Sequence, residues 1–248
     1  MKRRKITGLI LLILLSSMSL YGQVEVGGND LGVKLNIEGG NFTKAVNILL
    51  LMTMLSLVPS FIMMMTSFTR IVIVLNFLKQ AMGTQQAPSA KIVSSLALFL
   101  SIFIMYPVYT NIYNEAVIPY SEKKLSEEAA IEVGIKHVKL FMIKQTRDSD
   151  ILMFMDLAKQ EAVNTPEELS MRIIIPAFLI SELKTAFQMG FLIYLPFLVI
   201  DLVIATLLMS MGMMMLPPVM ISLPFKLLLF IMVDGWAMII YSLVSSFG

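Results

Sequence analysis

Cysteine is absent from the 248 residues, and histidine occurs once. Without a thiol the chain has no disulfide framework, no thiol catalysis and no iron–sulfur cluster. The single histidine, His137, has no second histidine or cysteine to complete a metal site, so we assign it no role and predict no metal. A nucleotide-binding glycine loop, a zinc-protease helix and a serine elbow are also missing, and we therefore expect neither an enzyme nor a cofactor.

Charged residues are scarce, at 15% of the chain, and the formal net charge is only +2. This balance does not indicate an acidic polymer or a nucleic acid as a partner. Hydrophobic residues make up 57% of the sequence and the mean hydropathy is +0.82, far above the values of an ordinary soluble domain. The composition predicts an all-α, helical integral membrane protein.

The first residues have the pattern of a secretory signal peptide. A basic start, Lys2 to Lys5, precedes an apolar stretch from Leu9 to Leu15 and then small residues up to Gly22. We predict cleavage after residues 1–22, with an uncleaved anchor as the alternative. Residues 23–44 then form a short polar segment, and the mature N-terminus begins on the far side of the membrane.

Four later segments are apolar over about 20 residues or more, the length that a helix needs to cross a bilayer. They are Ala45–Met65, Ile92–Tyr113, Phe187–Leu216 and Val219–Phe247. We predict stacked helical hairpins, with a first membrane or gate hairpin at 45–113 and a second region at 173–248. The segment Thr66–Lys91 carries Arg70, Lys79 and Lys91 but no acid, which indicates the cytoplasmic side. Gly83 and Pro88 mark the turn of the hairpin.

Residues 114–172 alternate acidic and basic side chains and predict one small, helical, water-facing domain on the periplasmic side. Ser126 can cap a helix that runs toward Gln145, and Asp148 or Ser149 can cap a second helix. The run Thr165–Glu168 combines an N-cap, a first-turn proline and a capping-box glutamate, which predicts the start of a third.

A few ionisable residues stand inside or beside apolar sequence, where an unpaired charge is costly. They are Arg70, Glu182, Lys184, Asp201, Lys226 and Asp234. Glu182 and Lys184 are two positions apart and lie on different sides of a helix, so each needs a partner on another helix or another subunit. We favour ion pairs that hold subunits together. The alternative is a self-contained small-ion transporter that uses Asp201 and Glu182.

Methionine is abundant, with 22 residues that bunch at Met63–Met65 and again from Met209 to Met215. Thioether side chains are unbranched and adaptable, so a ring of them can close around polypeptides of varied sequence. Gly212 interrupts the second tract and Pro217 and Pro218 terminate it, which places it at a helix end or in a loop. Packed or lipid-facing methionines are an equally open interpretation at this point.

Two long runs resemble the signatures of the FliP family: Pro176–Phe191 matches the first and Leu195–Ala205 the second. Shorter stretches resemble it too, at Met64–Ile71, Gly83–Gln86, Met209–Pro218 and Val233–Trp236. The likeness covers Leu55 to Tyr113 and Ile173 to Phe247. The N-terminus and the polar segment lie outside it.

The resemblance implies a subunit of the flagellar type III export apparatus, similar to the injectisome SctR proteins. In that family several copies assemble with FliQ and FliR, and with FlhB, into a helical gate in the bacterial inner membrane at the flagellar basal body. Unfolded flagellar proteins are the cargo, and much of the gate is raised out of the bilayer plane. The methionine tract of the family lines a constriction, so Met211, Met213, Met214 and Met215 carry over as a pore gasket.

Overall fold

The computed structural model describes residues 42–84, 87–160, 165–213 and 216–248. The predicted signal peptide 1–22, nearly all of the polar segment 23–44, and Met214 and Met215 of the gasket lie outside the described residues. Over the described ranges the chain forms helices and no strand, with several of membrane length, which confirms the all-α membrane fold.

The described α-helices are named here in chain order. They are α1 (Phe42–Met64), α2 (Phe68–Ala81), α3 (Ala90–Ile112), α4 (Ile118–Ser121), α5 (Glu127–Gln145), α6 (Asp148–Leu157), α7 (Met171–Ser210), α8 (Pro218–Met232) and α9 (Gly235–Ser245). A π turn, Tyr113–Val117, joins α3 to α4, and a 3-10 turn, Pro166–Glu168, precedes α7.

Among the described residues, three helical stretches are long and apolar enough to cross a membrane: Val46–Met64, Ala90–Ser121 and Met171–Ser210. In the first, α1, the apolar side chains are exposed all along the helix, as suits a helix surrounded by lipid or by other subunits. The third, α7, has 40 residues and is about 60 Å long, roughly twice the thickness of a hydrocarbon core. Part of α7 therefore extends beyond any bilayer that it crosses.

The predicted span Val219–Phe247 is not one straight helix. It is divided into α8 and α9, which are bent by 65° relative to each other. The bend lies at Asp234, whose backbone is left-handed with a φ of 48°, followed by Gly235. With 15 and 11 residues these helices are about 22 and 16 Å long, so neither alone crosses a bilayer.

Helix α7 is the central element of residues 63–248 and contacts α2, α5, α6 and α8. Its first half packs on α5 and α6 through a cluster around Phe178, Met142 and Ile151. Its second half packs in a second cluster with α2, α3, α8 and α9, around Ile71, Leu78, Ala97, Phe197 and Leu243. The acidic and basic residues of α7 are thereby placed against different neighbouring helices.

The basic segment Thr66–Lys91 is mostly helix, because α2 occupies its first half, and the turn lies where Gly83 and Pro88 predict it. The turn is confined to the residues after Met82: Gly83 is left-handed, with a φ of 74°, and its N–H donates to the Gln80 carbonyl at 3.0 Å. The helices on either side of this turn are α2 and α3, rather than the segment Ala45–Met65 and α3. Gln85 and Gln86 of the predicted turn are outside the described residues.

The helix starts predicted in the polar segment have mixed outcomes. Ser126 caps α5, because its hydroxyl accepts a hydrogen bond from the Ala129 N–H at 3.2 Å. Helix α6 does begin at Asp148, but its N-cap is Arg147, and neither Asp148 nor Ser149 takes that position. The third predicted start was wrong: residues 166–168 form a single 3-10 turn, and the next α-helix starts at Met171.

Candidate functional site

The methionine tract forms the connection between α7 and α8, named here the Met loop (residues 211–217). Helix α7 ends in a Schellman motif: the N–H of Gly212 donates to the Met209 carbonyl at 3.1 Å, and that of Met213 to the Leu208 carbonyl at 3.0 Å. Met211 is 69% exposed and Met213 is half-buried. The chain therefore leaves a well-terminated helix directly into an exposed Met211 and a half-buried Met213.

The other end of the Met loop is also fixed by local chemistry. Pro217 is the N-cap of α8 and Pro218 is its first residue, a position where a missing N–H costs nothing. The two prolines thus start α8, whereas Gly212 ends α7. The prediction that the tract lies at a helix end or in a loop is confirmed for Met211 and Met213.

Gly212 is required by its backbone conformation and not by lack of space. Its φ is 73°, and a Cβ added there would meet nothing within 4 Å. We expect Gly212→Ala to lower stability by about 1 kcal/mol, because a side chain strains the left-handed region. Gly212→Asn should cost less, since asparagine tolerates that region. Thermal midpoints of the purified variants test this, and equal midpoints for Ala and wild type would contradict it.

Arg70 and Glu182 form an ion pair between α2 and α7, with side chains 3% and 0% exposed. The guanidinium binds both carboxylate oxygens, Nε to Oε2 at 3.0 Å and Nη2 to Oε1. Nη2 also donates to Oε1 of Gln145 at 3.2 Å, and Nη1 donates to the carbonyl and hydroxyl oxygens of Ser246 at 2.9 and 3.0 Å. All five N–H donors of the guanidinium are used. Its carbon lies 3.8 Å from the centre of the Phe247 ring.

Asp201 and Lys226 form a second pair, between α7 and α8. Lys226 is nearly fully buried, and its Nζ lies 2.6 Å from Oδ2 of Asp201 and 3.1 Å from the carbonyl of Ala81, the last residue of α2. The hydroxyl of Ser222 donates to Oδ1 of Asp201 at 2.5 Å. Lys226 therefore connects α8 both to α7 and to the last residue of α2.

A third pair joins α7 to α6, between Lys184 and Asp150. Asp150 is buried while Lys184 is about half exposed. Asp234, by contrast, is exposed at the bend between α8 and α9, and its side chain has no hydrogen-bond partner among the described residues.

The structure thus corrects the predicted arrangement of charges. Arg70, Glu182, Lys184, Asp201 and Lys226 all find their counter-ions within one chain, so these pairs give no evidence for contacts between subunits. The prediction that Glu182 and Lys184 need partners on other elements holds, since those partners are on α2 and α6.

Several polar residues of these networks were missed from the sequence. Ser222 had a weak signal, because it stands four positions before Lys226 and shares its face of α8. Gln145 and Ser246 had no such signal, because they are 75 and 176 positions away from Arg70 in the sequence.

His137 lies on α5 and its Nε2 is 2.9 Å from Oε2 of Glu115 in the π turn. This contact links α5 to the π turn that follows α3, a structural role that we did not predict. Within the portion of the chain that the structure describes, no group of three or more histidine, aspartate or glutamate side chains is arranged to hold a metal ion.

The buried pairs and the Met loop fall inside one continuous family match. The model of the FliP family matches residues 51–243. The chain belongs to the FliP family. The match also runs through residues 114–172, so our prediction that the family likeness stops at Tyr113 and resumes at Ile173 was wrong.

Individual FliP relatives agree with this membership. The flagellar biosynthetic protein FliP of Pectobacterium carotovorum subsp. carotovorum is 50% identical over 209 residues, which cover 84% of this chain and 81% of that protein. The FliP protein of Aquifex aeolicus is 42% identical over 238 residues, 95% of this chain and 97% of the relative. The FliP protein of Bacillus subtilis is 49% identical over 207 residues, which cover 84% of this chain and 94% of that protein.

Proposed function

We propose that this chain, by its family a membrane component of flagellar biosynthesis and protein export, is a subunit of the export gate. Several copies assemble with FliQ and FliR, and with FlhB, around a conduit for unfolded flagellar proteins. The Met loop of each copy contributes to a constriction that seals the conduit at rest. The chain makes and breaks no bonds itself, and its role is structural.

The observation that carries this proposal is the construction of the Met loop. It lies between a Schellman motif and a proline-started helix, and it presents Met211 to the outside of the fold. Thioether side chains repack at low cost, so a ring of such loops can deform around a passing polypeptide and close after it. The tract also includes Met214 and Met215, whose positions match the family motif.

The exposed face of the helix Ala90–Ser121 supports burial by other subunits. Large apolar side chains recur there every seven residues, at Ile92, Phe99, Tyr106, Tyr113 and Tyr120, all of them exposed in the single chain. The stripe is about 42 Å long, which exceeds the roughly 30 Å of a hydrocarbon core. Lipid alone therefore leaves part of it in water, whereas neighbouring subunits can cover its whole length.

The orientation that we propose rests on the turn after α2. Lys79 and Lys91 flank this turn, and Thr66–Lys91 contains no acid, which favours the cytoplasmic side. Arg70 no longer contributes to this argument, because it is buried against Glu182. The polar segment 114–172 begins toward the other end of the 32-residue helix Ala90–Ser121, which is about 48 Å long, and we assign the segment to the periplasmic side.

The rival function, a self-contained small-ion transporter, has less support. A carboxylate that carries protons or ions needs access to water and freedom from its counter-ion. Glu182 is 0% exposed and both of its oxygens are bound by Arg70. Asp201 is 30% exposed, but its two oxygens are occupied by Ser222 and Lys226.

The seal is tested by replacing Met211, Met213, Met214 and Met215 together by alanine in the assembled gate. We expect ion leakage through the membrane to rise, because alanine leaves the constriction open. Met232→Ala is the matched control: Met232 is 75% exposed but lies at the far end of α8, about 21 Å along the helix from Pro218. Conductance that stays at the wild-type level in the quadruple variant rejects the seal.

A further inference from the structure

We infer that Asp201, Lys226 and Ser222 are positioning residues that set the place of the Met loop. This inference rests on the proposed seal, because it concerns how the sealing loop is held. Their predicted part was to join subunits, yet their contacts lie inside one chain and close the hairpin that carries the loop.

The geometry of the hairpin is the first support. Asp201 is nine residues before the end of α7, and Lys226 is eight residues after the start of α8. At 1.5 Å per residue, the ion pair crosses the hairpin about 12–14 Å from the loop on both sides. The pair therefore fixes how far α8 can slide along α7, and with it the position of the loop at the end of both helices.

The second support is the absence of other hydrogen bonds to the Met loop. In its described residues, 211–213 and 216–217, the backbone bonds go to the last turn of α7 or stay within the loop and the first turn of α8. No side-chain bond from another helix reaches those residues. The position of the loop is thus determined by its two helices, and the relation of those helices depends on the charged pair.

The third support is the contact with α2. Lys226 donates to the Ala81 carbonyl, which belongs to the last turn of α2, where helix carbonyls lack an internal partner and attract cations. A Cβ added at Gly83 would lie 3.9 Å from Val219 and 4.0 Å from Nζ of Lys226, so the turn after α2 sits against the first residues of α8. The same lysine therefore seats the start of α8 on α2.

Loss of the Asp201–Lys226 pair should displace α8 and, with it, the Met loop. Lys226 is 2% exposed, and an ammonium without its counter-ion cannot stay buried at low cost. To reach water it must move, and α8 must shift or rotate with it. The Met loop then loses its defined position even though all of its methionines are present.

The test compares loop position with ion leakage in the full assembly. This chain contains no cysteine, so Gln80→Cys on α2 and Leu216→Cys in the Met loop are its only sites for spin labels, and labelled copies are diluted with unlabelled ones so that the two labels of one copy are measured. We expect a narrow distance distribution in the otherwise unchanged chain. With Asp201→Asn it should broaden, and the unlabelled Asp201→Asn gate should leak ions toward the level of the quadruple methionine variant.

Two further variants make the test specific. Asp150→Asn removes a buried partner of the α6–α7 pair, and we expect it to lower thermal stability without leakage or broadening. Ser222→Ala keeps both charges and removes the hydroxyl contacts with Asp201 and with the Val219 carbonyl of the same helix, so it should broaden the distribution less than Asp201→Asn does. If Asp201→Asn does not assemble, Ser222→Ala decides the question, and a wild-type distribution there overturns the inference.

The outcomes separate this inference from the proposed function. If the quadruple methionine variant leaks but Asp201→Asn neither leaks nor broadens the distribution, the seal stands and the positioning role is wrong. Equal leakage from Asp150→Asn and Asp201→Asn also overturns the positioning role. If the methionine variant does not leak, the seal is wrong, while the distance distributions still decide whether the pair positions the loop.

Discussion

Replacing Arg70 by methionine should lower the stability of the protein by about 3–5 kcal/mol, the usual cost of removing one partner from a buried ion pair. The change leaves the carboxylate of Glu182 buried without a counter-ion. It also removes the donors to Gln145 and Ser246, which hold α5 and the residues after α9 near α2 and α7. The thermal midpoint of the detergent-purified protein and the yield of assembled gate measure the loss.

The double variant Arg70→Met with Glu182→Met separates the cost of an isolated buried charge from the contribution of the ion pair itself. Removing both charges removes the penalty of an isolated buried ion, so the double variant should be more stable than Arg70→Met alone. Glu122→Gln is the surface control: the pair of Glu122 and Lys124 is exposed, and its loss should cost about 0–1 kcal/mol. If Arg70→Met is as stable as wild type, the Arg70–Glu182 pair contributes nothing to the stability of the fold.

The parts of the fold that were predictable are those that local chemistry determines. Apolar length identified α1 and α3 but only the second part of α7, whose start it placed at Phe187 instead of Met171. The Ser126 hydroxyl marked the start of α5, and the glycines at 83 and 212 marked the ends of α2 and α7. Each of these signals acts over a few residues and is written in the sequence next to the feature that it controls.

The bend between α8 and α9 was missed although its signal was present. Asp234 and Gly235 form an Asp-Gly pair, a dipeptide typical of turns, within a run that is otherwise apolar. We gave more weight to the length of the run than to that pair. Hydropathy reports how apolar a segment is and carries no information on whether it is straight.

The pairing of charges could not be predicted for a different reason. Arg70 and Glu182 are 112 positions apart, and their contact depends on how α2 packs along α7. The sequence required only that each charge have a partner somewhere. Whether that partner is in the same chain or in a neighbour follows from tertiary packing, which a single sequence does not specify.

The packing of α2 along α7 also depends on one glycine, and we expect Gly190→Ala to destabilise the protein by about 3 kcal/mol, at the upper end of the usual cost of overpacking. A Cβ at this position would lie 2.6 Å from Cγ and Cδ2 of Phe77 and 3.0 Å from its Cβ. These atoms lie at the root of the side chain, so a rotation of the ring cannot make room. The ring is also in edge contact with Phe187, at 5.3 Å between centres. Helix α2 must move away from α7, which loosens the core and the Arg70–Glu182 pair together.

Two further sets of variants show whether the clash with Phe77 causes the loss of stability in Gly190→Ala. Gly134→Ala on α5 is the matched control, since a Cβ there meets only Ile112 at 3.8 Å, an ordinary contact, and alanine favours a helix by about 1 kcal/mol over glycine. It should be neutral or stabilising. Phe77→Ala removes the ring, so Phe77→Ala with Gly190→Ala should lose less stability than the two single changes added together. Additive losses in thermal stability would mean that Gly190 acts through something other than its contact with Phe77.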